Sequence, residues 1–87
     1  MNVIWSENDC DAICKFIDEV LVGCVSIITE RRSGATVNVL VGGWANDGNN
    51  DGLLTLFGQQ LDANFDLTQP RRHVWIEWDD IDTLEVH

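Results

Sequence analysis

Along this chain apolar residues first recur every three or four positions and then every second one. Cys10, Ile13, Phe16, Ile17, Val20 and Leu21 fall on one stripe, with Asp11, Lys15, Asp18 and Glu19 opposite. That spacing predicts an amphipathic helix over 6–22. Ser6 fits the N-cap, Glu7, Asp9 and Asp11 sit at the positive end of the dipole, and Gly23 supplies the stop. From Cys24 to Arg31 the period falls to two, Val25, Ile27 and Thr29 alternating with Ser26, Ile28 and Glu30. The β-branched content makes this a strand. After a turn at Arg32-Ser33-Gly34, residues Thr36 to Val41 read as a second, antiparallel strand with Val37, Val39 and Val41 on one side; Gly42-Gly43 ends or bulges it.

Residues 45–52, Ala-Asn-Asp-Gly-Asn-Asn-Asp-Gly, are turn-forming throughout and predict a loop. The next stretch fits two periods. Leu53, Leu54, Phe57 and Leu61 share a helical face, whereas Leu53, Thr55 and Phe57 against Leu54 and Leu56 suit a strand buried on both sides. Gly58 would cost a helix about 1 kcal/mol against Ala, and the run Leu53 to Phe57 is short, so the strand is preferred. Gln59 to Arg72 then becomes a connection, with Pro70 barring a helix just before the next strand. The ending is the clearest pattern of all. Val74, Ile76 and Trp78 alternate with Trp75, Glu77 and Asp79, Asp79-Asp80 interrupts, and Leu84 and Val86 resume on one side.

The predicted order is one helix and five short strands, in a single domain over 1–87 with the helix at 6–22 and the strands within 24–87. This is an α+β chain, mostly β. It has too few layers for a sandwich and closes best as a small, strongly bent antiparallel barrel, with the helix over one opening. An αββαββ sandwich with residues 52–64 helical stays open as the alternative. A final strand stitched into the sheet predicts a domain complete at residue 87.

This order resembles the Sm-like fold of Sm, LSm and Hfq proteins, and SH3-like barrels more broadly. Locally, Val74 to Val86 looks like that family's last two strands joined by a very short turn. The resemblance implies assembly into rings through edge strands and binding of single-stranded RNA. The positions it would use are Arg31, Arg32, Arg71 and Arg72, with bases stacked on Trp44. The chain departs from the family in lacking the Lys-His signature of Hfq and the Arg-Gly pair of many Sm proteins; its corresponding turn, Asp79-Asp80, is acidic.

Charge points another way. Five Lys and Arg against fifteen Asp and Glu leave a net charge of -10, a field that repels nucleic acid at long range and attracts cationic partners. Asp79, Asp80, Asp82 and Glu85 are the residues that would meet a basic protein surface. The two partner classes, RNA and basic protein, stand side by side. Four of the five basic residues are adjacent pairs, so local basic spots persist on an acidic body. With 45% hydrophobic residues the chain is globular, no apolar run approaches a membrane span, and residues 1–22 lack the features of a signal peptide, which together predict a cytoplasmic protein.

Reaction chemistry finds little support. Three cysteines do not make a disulfide framework, and Cys10, Cys14 and Cys24 with His73 and His87 lack a second paired motif for zinc. Neither histidine has general-base context, Ser26 and Ser33 have no triad-like partner, and phosphate-loop and nucleophile-elbow motifs are missing. A non-catalytic module without a cofactor is expected. One exception concerns calcium: Asp47, Asn49 and Asp51 reproduce the alternating oxygen ligands that open a calcium loop, although its twelfth position is Gly58. Trp5, Trp44, Trp75 and Trp78 exceed what a small core needs, which places at least one in an interface; Trp44, beside the loop, is the expected exposed anchor.

Overall fold

The apolar stripe of the first segment forms a helix, as its spacing requires. In the computed structural model, which describes residues 2–3, 10–47 and 53–87, α1 runs Cys10–Phe16 and continues through Ile17–Leu21 in a wider π-type turn. The Val22 N–H reaches the Ile17 carbonyl at 2.9 Å. Ile13, Ile17 and Leu21 are buried, while Lys15, Asp18 and Glu19 face outward. Gly23, at φ +82°, turns the chain out of the helix in a conformation that suits glycine. The proposed cap at Ser6, with Glu7 and Asp9, lies outside the described residues.

Among the described residues six strands follow one antiparallel pattern: β1 (Asn2–Val3), β2 (Val25–Glu30), β3 (Thr36–Asp47), β4 (Leu53–Leu61), β5 (His73–Glu77) and β6 (Ile81–Val86). Their order across the sheet is β1-β6-β2-β3-β4-β5. Five are substantial, and the two-residue β1 only lies along Leu84 and Glu85 of β6. The α+β, mostly-β expectation therefore holds. Residues Leu53–Leu61 are strand, which removes the αββαββ alternative.

Connectivity forces the sheet to bend. β5 and β6 lie four strand spacings apart, roughly 19 Å if flat. Only the 3-10 turn Trp78–Asp80 joins them, and the four chain steps from Glu77 to Ile81 reach about 14 Å at most. The sheet must curl until its flanks approach. A register shift between Val41 and Gly43 on β3 provides a bend. Gly42-Gly43 thus bulges the strand without ending it. β3 runs on to Asp47, paired with Leu53, so the first three residues of the loop expected over 45–52 are strand. Turn-forming residues there are overridden by pairing with the apolar start of β4.

Inside the curl lies one core: Ile13, Ile17 and Leu21 from the helix, Ile28, Val39, Val41, Leu54, Leu56, Ile76 and Leu84 from the strands, and Trp78 from the turn. The helix end is fastened to β3 by Gly23 N–H to the Val41 carbonyl at 3.0 Å and Val41 N–H to the Cys24 carbonyl at 3.1 Å. No described helix is long and apolar enough to cross a membrane.

Candidate functional site

Two of the residues expected to bind RNA, Arg31 and Arg32, meet one of those expected to bind basic protein, Asp80, at the closing turn. Arg31 and Arg32 follow β2, and both backbone amides donate to Asp80: Arg31 N–H to its carbonyl at 2.6 Å, Arg32 N–H to its carboxylate at 3.0 Å. The Arg31 guanidinium adds a contact to the Ile81 carbonyl at 3.4 Å. Arg32 Nε stands 3.7 Å from Asp80 Oδ1, and its Nη2 lies 3.3 Å from Glu77 Oε2. Opposite charges separated by almost fifty residues thus clasp the β2–β3 turn to the Trp78–Asp80 turn. Arg31, Arg32 and Asp80 thus share one seam, while the Arg32 side chain keeps 78% exposure. Asp79 and Glu85 stay exposed, as does Asp82, the unpaired residue at the register shift where Thr29 pairs with Thr83 and Glu30 with Ile81.

The tryptophans divide differently from expectation. Trp44 is half-buried against the core, and its Nε1 donates to Asp18 Oδ1 on the helix at 3.1 Å, so it anchors α1 and is no exposed platform. Trp78 is in the core. Trp75 is the exposed one, at 63%. It lies cross-strand from Phe57, ring centroids 5.1 Å apart. Phe57 in turn lies over Gly42-Gly43, where an added Cβ on Gly43 would meet its ring at 2.9 Å. The floor of two glycines is what lets this aromatic pair sit on the outer face of the sheet. Trp5 lies outside the described residues.

Trp75 occupies an open strand. Among the described residues β5 pairs with β4 alone, and the Gln60 N–H bond to the Arg72 carbonyl at 2.8 Å extends that register by one residue. Directly opposed residues of an antiparallel pair alternate between bonded and non-bonded. Arg72, Val74 and Ile76 therefore direct their backbone groups toward β4. His73, Trp75 and Glu77 direct theirs away from it, and no described strand lies on that side. Arg71 and Arg72 are exposed at the entry to β5 and form no ion pair with a described residue. The opposite flank differs, since β1 already pairs with Glu85 and Leu84 of β6.

Of the calcium-loop residues, Asn49 and Asp51 lie outside the described residues, and Asp47 is the last paired residue of β3. Among the described residues no acid takes the place of the missing twelfth ligand. Gly58 is in mid-strand opposite Val41, and Asp62 lies beyond the far end of β4, its Oδ1 accepting from the Asn64 and Asp66 amides at 2.9 and 3.0 Å. Among the described residues no group of His, Cys, Asp and Glu gathers as a metal site. His73 is exposed on β5, while His87 stacks on Phe65 at 4.2 Å, a phenylalanine held at φ 64°. Sequence periodicity places Trp75 opposite Trp78; what it lacks is which strand flanks β5, and hence that the Trp75 side is open. In comparisons with known proteins, no family model, no curated protein and no solved structure matches the chain.

Proposed function

We propose that this protein is a non-catalytic binding module that takes an extended protein segment onto the β5 edge. The observation that carries the reading is the row of outward backbone groups at His73, Trp75 and Glu77 beside a tryptophan that is 63% exposed. A strand added there would gain main-chain hydrogen bonds, while Trp75 and Phe57 would supply an apolar anchor for alternate side chains. The acidic body favours partners with basic flanks. Amide exchange on the dilute protein tests this directly. The N–H groups of His73, Trp75 and Glu77 should exchange far faster than those of Val74 and Ile76 and should become protected when an extended peptide binds. Equal protection of all five in the free chain would close the edge and end the proposal.

A second reading rests on a separate observation. Arg71 and Arg72 are free of ion pairs with described residues and stand next to Trp75 in sequence, a basic and aromatic patch suited to stacking a base of single-stranded RNA. Titration with a labelled single-stranded oligonucleotide should show affinity that falls steeply with salt and is lost in Arg71→Glu. No binding at low salt would remove this reading.

A further inference from the structure

The partner of the β5 edge follows from how charge is laid along it. The strand is basic where it begins, at Arg71, Arg72 and His73, and acidic where it ends, at Glu77 and Asp79. Such a strand is its own complement only when reversed. We propose that two copies of this chain pair antiparallel through β5, about a two-fold axis passing at Trp75. This rests on the open-edge reading above and specifies the occupant.

Register and charge agree on one arrangement. With Trp75 opposite Trp75 of the second copy, His73 faces Glu77 and Glu77 faces His73. All the outward-directed residues then oppose outward-directed residues, giving roughly six backbone hydrogen bonds across the axis. A slip of one residue would set outward groups against groups already used by β4. A slip of two would leave one residue of each strand unpaired. Beyond the strand ends, the chosen register carries Arg71 toward Asp79 of the other copy. A parallel approach would set like charges together. The Glu77 carboxylate retains 43% exposure beside Arg32, so it remains open to a second cation.

Side chains reinforce the pairing. Residues 73, 75 and 77 share the outer face of the sheet, so the two Trp75 rings meet there, each backed by its own Phe57. A two-fold interface is isologous and closes with two copies. A head-to-tail contact from β5 to β6 of the next copy would instead meet β1 along Leu84 and Glu85. The geometry thus favours a dimer with one continuous sheet over a ring.

Equilibrium sedimentation of the full chain across micromolar to millimolar concentration, with a charge exchange, tests this. The wild type should show a monomer–dimer equilibrium from its 9.8 kDa monomer. Trp75→Ala should weaken the dimer by about 10-fold or more. Arg71→Glu and Asp79→Arg should each weaken self-association, and an equimolar mixture of the two should recover it as a heterodimer, because each junction again joins opposite charges. A chain that stays monomeric throughout overturns self-pairing, as does an assembly larger than two or a dimer indifferent to Trp75→Ala and to both charge changes. The edge-binding reading is separable: a monomer whose His73, Trp75 and Glu77 amides exchange freely and become protected by an unrelated extended peptide keeps that reading and loses only the second copy.

Discussion

Gly58 shows how little a residue's identity means before its neighbours are known. By composition it is a weak helix former in an ambiguous run. In the structure it sits in β4 opposite Val41, and a Cβ there would collide with the Leu40 carbonyl and stand 2.7 Å from Val39 Cγ1. Alanine in a strand normally improves on glycine, but a backbone oxygen cannot step aside. We expect Gly58→Ala to destabilise by about 3 kcal/mol in urea unfolding. Ser26 predicts the opposite sign. Its side chain is fully buried in β2, and its Oγ has no hydrogen-bond partner among the described residues. Ser26→Ala removes a desolvated hydroxyl and leaves a small void, so stability should rise by about 1 kcal/mol. A fall in the urea midpoint would mean that the hydroxyl is satisfied.

Among elements, the two short turns at the closing seam decide whether the sheet stays curled. Asp80 accepts two backbone amides across the seam, through its carbonyl and its carboxylate, and its side chain is only 17% exposed. Arg32, at 78%, mainly adds ion pairs in solvent. Removing the acceptor should therefore cost more than removing the cation. Asp80→Ala is expected to lose about 1.5 kcal/mol by thermal unfolding and Arg32→Ala about 0.5 kcal/mol or less. Equal losses would show that the ion pairs carry the clasp. The helix has a matching tie in Trp44, whose Nε1 bond to Asp18 fixes α1 against β3.

For the whole molecule, the net charge of -10 sets the response to salt. Self-repulsion among carboxylates acts over the Debye length, about 30 Å at 0.01 M and ~8 Å at 0.15 M, whereas the Arg32 contacts are short and few. Raising salt across that interval should increase the melting temperature, because more repulsion is screened than attraction. A falling melting temperature would make the clasp the dominant electrostatic feature.

Helix α1, the strands β2, β5 and β6 and the inward set Val74, Ile76, Trp78 and Leu84 were determined by the sequence itself, because periodicity reports which face of an element meets apolar surroundings. Beyond the β2–β3 hairpin, pairing was not so determined. Asn46 and Asp47 belong to β3 because Leu54 and Leu53 lie opposite, and Gly58 is a strand residue because Val41 does. Charge likewise gave no location. Arg32 and Asp80 each read as a free binding residue until the curl of the sheet brought them together, nearly fifty positions apart. Trp75 shows the same division: alternation placed it on the face opposite Trp78, but only the strand order, with β5 outermost, left that face and its backbone groups open to a partner. A local pattern sets which side of a strand is apolar; which strands stand beside it is a long-range choice, made by the one arrangement that closes the core.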